Sequence, residues 1–127
     1  MNDVTQVQLA AQRLVDAFSR NDASAYFASF TEDATFVFHN MEQPLLSRHA
    51  WFTQWTDWQK EGGVIIKCVS SNQHVQINGD VAIFFHDVDT LIQNSGQQSR
   101  LTERETIIFR RTLQGWLACH EHLSARI

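Results

Sequence analysis

Apolar residues recur at Val4, Val7, Ala11, Leu14 and Phe18 with the spacing of one helix face, and Asp3 and Gln6 stand like a capping box at its start. The pattern predicts a long amphipathic first helix. Asn21 suits a left-handed stop, and Asp22 can cap a second, short helix that buries Tyr26, Phe27 and Phe30 before running out at Thr31-Glu32-Asp33. Ala34 to His39 is β-branched and aromatic and reads as a buried strand. A loop follows with Pro44, the only proline, and Ser47 can cap a third helix. In that helix Trp51, Trp55 and Trp58 fall at i, i+4 and i+7 with Phe52 beside them, and Gly62-Gly63 ends it. From Val64 onward the pattern is four long strands near 64–77, 80–92, 99–111 and 116–125, with Asn78-Gly79 the sharpest hairpin signal.

The order is helix, helix, strand, helix, then a four-strand meander. It predicts a single α+β domain over 1–127, with the three helices of the N-terminal half packed on the concave face of a strongly bent antiparallel sheet. The late strands are apolar in both registers: Ile83 and Phe85 oppose Ala82 and Phe84, Ile107 and Phe109 oppose Thr106 and Ile108, and Leu117, Cys119 and Leu123 oppose Trp116 and Ala118. One helix layer covers one face only. The other face is therefore expected to meet a second copy of the chain, through Ile107, Phe109, Leu117 and Leu123.

Composition narrows the functional classes. At 43% hydrophobic and 19% charged the chain is ordinary for a globular protein. The formal charge of -4, with few and scattered basic residues, argues against a phosphate-tracking nucleic-acid binder. No run of 18 apolar residues offers a membrane span, and the start MNDVTQVQ has neither the charged nor the apolar region of a signal peptide, so a cytoplasmic location is expected. Cys68 and Cys119 sit in apolar strand patterns outside any CxxC pair and read as buried, reduced thiols.

From Arg13 to Thr35 the segment RLVDAFSRNDASAYFASFTEDAT resembles ketosteroid-isomerase-like proteins. The last strands, RETIIFRRTLQGWLACHEHLS, resemble the corresponding end of SnoaL-like proteins and of the association domain of calcium/calmodulin-dependent kinase II. In that pattern an Arg-Arg pair ends one strand, Gly-Trp starts the next and His-x-His-x-Ser closes it, here Arg110, Arg111, Gly115, Trp116, His120, His122 and Ser124. The resemblance implies the cone of the nuclear transport factor 2-like superfamily, whose members include isomerases, cyclases, dehydratases and pure association modules. Such a fold does not choose among those functions. Where the isomerases resembled here carry a catalytic tyrosine this chain has Leu14, and where they carry the base aspartate it has Phe38. Neither side chain can move a proton, so steroid-isomerase chemistry is not expected.

The same comparison sets His39 at the mouth of the cone. Arg104, Thr106 and Ile108 form one stripe of their strand; Trp116, Ala118, His120 and His122 form one stripe of the next. Three unpaired turn residues would bring the two stripes to one face; two or four would not. The resemblance favours a shared, concave face. The expected pocket is then walled by Tyr26, Trp51 and Trp55, carries Arg104, Thr106, His39, His120 and His122, and suits a small ligand, anionic or apolar. His39 and His120 are the candidate acid/base groups and Arg104 the candidate anion partner. Each has a plainer reading, since aromatics at helical spacing and paired strand histidines also serve core packing. His120-x-His122 lacks a third ligand and no HExxH is present, so neither metal nor cofactor is expected. Asp87 and Asp89 alternate on one strand and suit an exposed end, while Glu103, Glu105, Arg111 and Glu121 read as cross-strand charge pairs on the outer face or a dimer rim.

Overall fold

A computed structural model describes residues 1–127. The chain forms α1 (Asp3–Ser19), α2 (Ala23–Ala28), β1 (Phe30–Phe38), α3 (Arg48–Lys60), β2 (Gly63–Asn78), β3 (Val81–Asn94), β4 (Gln97–Thr112) and β5 (Gly115–Ala125). The caps follow from local chemistry. Asp22 accepts from the Ala25 amide and Ser47 from the Ala50 amide, as their positions predict. The α1 cap lies one residue earlier than the capping-box reading: Asn2 accepts from Thr5, and Gln6 reaches the Met1 carbonyl. Helix α2 stops at Ala28, sooner than expected, because Phe30 already joins the sheet opposite Ala118.

Asn21 adopts the left-handed conformation (φ 58) that ends α1, and it does more than turn the chain. Its side chain donates to the Ile65 carbonyl at 2.8 Å and accepts from the Ile65 amide at 2.8 Å, pinning the end of α1 to β2. At the other helix junction Gly63 lies flat under the Trp58 indole; a Cβ there would stand 2.1 Å from the ring.

The sheet order is β1-β5-β4-β3-β2. Strands β2 to β5 form the expected antiparallel meander, but β1 runs parallel to β5, so the sheet is mixed, and β1 and β2 leave it open at both edges. Bulges bend it: β2 slips register between Ile65 and Lys67 and again between Ser71 and His74, and β5 slips at Cys119, where Phe109 pairs with Ala118 and Ile108 with His120. The helices cover the concave face. There Val7, Leu14, Tyr26, Phe30, Phe36, Trp55, Phe84, Ile107 and Phe109 form one continuous core. Ile107 and Phe109, expected outside, are both fully buried within it.

Candidate functional site

The open end of the cone holds a cavity of about 260 Å³ between α1, α3 and the curved sheet. Its walls are mostly apolar and aromatic. Phe18, Tyr26, Phe38, Trp51, Trp55 and Trp58 contribute rings, with Leu14, Ile65, Val88, Ile92 and Leu123 between them. The rings pack against one another, Tyr26 and Trp55 at 5.5 Å and Trp51 and Trp55 edge-on at 6.0 Å, so the wall is a braced surface. Leu14 and Phe38 both face this cavity.

Its polar end is acidic. Glu103 and Glu105 of β4 and Glu121 of β5 are all buried and all line the cavity. They are joined to a chain of side chains running through the interior. The Trp51 indole N–H donates to the Tyr26 hydroxyl at 3.1 Å, and Tyr26 donates to Glu121 at 3.4 Å. The Glu121 carboxyl stands beside that of Glu105, and each shifts the other's titration. Glu105 meets His86 Nε2 at 2.6 Å, and His86 Nδ1 meets the Ser70 hydroxyl at 2.5 Å. Separately, Glu103 meets His39 Nε2 at 2.5 Å.

Burial sets the protonation of this chain. It raises Glu121 well above the ordinary carboxylate range, and the neighbouring Glu105 raises it further. Burial also raises Glu105. Two neighbouring buried carboxyls favour holding one proton between them. Burial pushes His86 down to about 4, so the imidazole is neutral at pH 7. Its Nδ1 then accepts a hydrogen bond from the Ser70 hydroxyl, and its Nε2–H donates to Glu105. Burial raises Tyr26 well above 10 and pushes the Cys68 thiol up to about 12, so both stay neutral.

Of the residues expected in the pocket, Tyr26, Trp51 and Trp55 line it, and His39 stands at its rim through Glu103. Arg104, Thr106, His120 and His122 do not. They share a face, as the resemblance suggested, but it is the outer one: Arg104 pairs with Ser124, Thr106 with His122 and Ile108 with His120 across the convex surface. Arg104 and Thr106 point outward because they alternate along β4 with the buried Glu103, Glu105, Ile107 and Phe109, and a bulge in β5 sets the two histidines beside them. The turn after Thr112 leaves two residues unpaired, which puts Trp116 and Ala118 inside with Phe109, and the slip at Cys119 then reverses the alternation, turning His120 and His122 out and Glu121 and Leu123 in. The Arg104 side chain is 60% exposed and bonded to Asp87, so it is not an interior anion partner. His120 bonds Thr35 at 2.8 Å on the same outer side and is not an interior acid or base. Glu103, Glu105 and Glu121, expected on the outer face or a rim, are instead the polar end of the cavity. No three His, Cys, Asp or Glu side chains come together in a geometry that could hold a metal ion.

A cone of this topology, closed by three helices over an aromatic cavity, is the architecture that the sequence comparison also returns. The family model of the SnoaL-like domain matches residues 7–127, and the chain belongs to that family. No curated protein matches it in sequence. Among solved structures it is similar to a candidate aromatic ring hydroxylase from Novosphingobium aromaticivorans, at 21% identity over 98% of this chain and 90% of that one, with a TM-score of 0.86. It is similar to a ketosteroid isomerase-like protein from Erwinia carotovora atroseptica, at 16% identity over 100% and 99%, with a TM-score of 0.82. A candidate calcium/calmodulin-dependent protein kinase II association domain from Xanthomonas campestris gives 15% identity over 99% and 89%, with a TM-score of 0.81. At these identities the likeness establishes the nuclear transport factor 2-like, cystatin-like fold and leaves the chemistry to the residues. No helix of the chain is long and apolar enough to cross a membrane.

Proposed function

We propose that this SnoaL-like domain binds a small, predominantly apolar molecule in the cone cavity, and that it does so as a homodimer. The observation that carries the binding reading is the cavity itself: about 260 Å³ of space walled by six aromatic side chains, with a few polar groups gathered at one end. A domain that needed only a packed core would fill such space, since voids of this size cost stability in proportion to their volume. The anionic ligand that Arg104 suggested loses its anchor, because no Lys or Arg lines the cavity and three carboxyls do.

The uncharged compound 2-phenylethanol is a direct probe. Trp51, Trp55 and Trp58 all line the cavity, so its binding is expected to change their fluorescence saturably. Leu123→Trp, which places a bulky ring in the cavity, is expected to abolish the response. An unsaturable response in the wild type, or an undiminished one in the variant, refutes the reading.

The dimer reading rests on the outer face. Cross-strand rows there run Val37, His122, Thr106, Phe85, His74 and Thr35, His120, Ile108, Ile83, Gln76. Phe85 and Val37 are exposed on this face, and no helix covers them. An apolar sheet face of this kind is a natural site for self-association.

A further inference from the structure

We propose that the ligand the cavity selects is an organic cation, an ammonium group carried on an apolar body; this rests on the cavity-binding reading and adds the sign of the ligand's charge. Among the side chains lining the cavity are three glutamates and no lysine, arginine or histidine. The nearest cationic or basic groups are spoken for. His39 meets Glu103, His86 meets Glu105, and Arg126 donates to the Glu103 main-chain carbonyl and pairs with Asp87 and Asp89. No basic side chain hydrogen-bonds Glu121; Tyr26 donates to it, Glu105 stands beside it, and the nearby His86 imidazole is turned to Glu105 and Ser70.

Burying a carboxylate without a counter-charge is costly, and an isolated one takes up a proton to avoid it. The Glu105–Glu121 pair has done so once, which still leaves one negative charge to be shared between them. An ammonium group entering the cavity supplies the missing positive charge. The walls suit the same guest, because the faces of Trp and Tyr attract cations most strongly where water is excluded, and Trp51, Trp55, Trp58 and Tyr26 all line this cavity. An independent feature also points to a ligand. Trp55 is 2% exposed and lines the cavity, yet its indole N–H has no acceptor in the protein. A guest bearing an oxygen beside its ammonium group would satisfy that donor as well.

The entering cation pairs with the negative charge the carboxyl pair already carries, so binding is expected to weaken as pH falls from about 8 toward about 5 and that charge takes up a second proton. The titratable groups facing the pair are Tyr26 of α2, Cys68 of β2, His86 of β3 and Glu103 of β4, with His39 behind Glu103 and Asp87 beside His86. Tyr26, Cys68 and His86 keep their neutral forms across this range. His39→Gln removes the remaining imidazole at the rim and is expected to leave the trend in place.

The test is calorimetry on the full chain with three probes of matched shape and different charge: phenethylamine, 2-phenylethanol and 3-phenylpropionate. Phenethylamine is expected to bind about tenfold or more tightly than the alcohol, the scale of a desolvated cation–aromatic contact, and the carboxylate weakest. Glu121→Gln and Glu105→Gln should each shrink the amine-to-alcohol ratio toward one. Equal binding of amine and alcohol overturns the cation inference and leaves the cavity reading standing. A preference for the carboxylate overturns it too, as does a ratio that survives both glutamine variants. Failure of all three probes to bind removes the cavity reading along with it.

Discussion

At the scale of single residues, Glu121 and His86 give the molecule opposite responses to pH. The folded state holds the Glu121 carboxyl well above its ordinary value of 4.5, through burial first and Glu105 second. The folded chain therefore binds a proton that the unfolded chain has released. That contribution is complete below the unfolded carboxylate pKa and is lost as pH rises through the raised one, at up to about 1.4 kcal/mol per pH unit for one proton. Glu121→Gln keeps a donor for Glu105 and removes the titration. Urea denaturation across pH 5 to 9 is expected to show a shallower alkaline decline for the variant; parallel curves would mean that Glu121 is ionised in the native state. His86 works the other way, its folded pKa being pushed from 6.5 to about 4 by burial. Its contribution is present above 6.5 and is lost as pH falls toward 4, because only the unfolded chain then takes up the proton. The His86 ring resonances are expected to stay at their neutral positions at pH 5.5; protonation there would place the imidazolium against Glu105 as an ion pair instead.

At the scale of elements, Asn21 shows what a single-residue signal can and cannot convey. Its position after the apolar helix pattern predicts the left-handed stop, and the backbone obeys. Its two hydrogen bonds to Ile65, 44 residues away, have no local signature. Asn21→Ala loses both bonds and also the short polar side chain that makes Asn tolerant of a positive φ, an expected cost of about 2–4 kcal/mol. Asn21→Gly relieves the backbone and still lacks the bonds, so it should fall between the two in urea midpoint; a glycine variant as stable as the wild type would assign the whole effect to φ. The same distinction explains what was legible in β4 and β5. Helix starts, turn residues and the strand count were readable because each is a short-range signal, and Asp22, Ser47 and Asn78-Gly79 stand where they point. The inward face of β4 was not readable, since Glu103 and Glu105 share it with Ile107 and Phe109 while the opposite face offers Thr106 and Ile108. Hydropathy favours neither, and the bulge at Cys119 reverses β5 halfway along. The opposite face of β4 exchanges Arg104 for Glu103 and Glu105, and the slipped residue in β5 exchanges His120 and His122 for Glu121, so that acids stand where an anion partner was expected. The clue that was present is the spacing of Glu103, Glu105, Ile107 and Phe109 at strict intervals of two, which places the acids on whichever face the core claims.

At the scale of the whole molecule, the two faces of the sheet differ, and the helices cover only one of them. They cover the concave side and leave Ile83, Phe85, Ile108 and Leu117 on the convex side, in the middle of a sheet whose edges are also open. Phe85 is 39% exposed even though the His74 imidazole stacks on it at 4.7 Å. A two-fold axis through the Phe85 and Ile108 rows would lay these residues against their own copies and bring each subunit's His120 and His122 to the seam. Sedimentation at micromolar concentration is expected to give twice 14.6 kDa. Phe85→Asp puts a charge into that seam without touching the core, and should yield a folded monomer with an unchanged far-ultraviolet spectrum. Phe109→Asp is the contrasting variant: its ring is fully buried under the helices, so it should unfold the chain and not merely divide it. A wild-type chain that sediments as a monomer, or a Phe85→Asp variant that remains a dimer, rules out the convex face as the contact. The cavity reading does not depend on either result, because the cavity lies on the other side of the sheet.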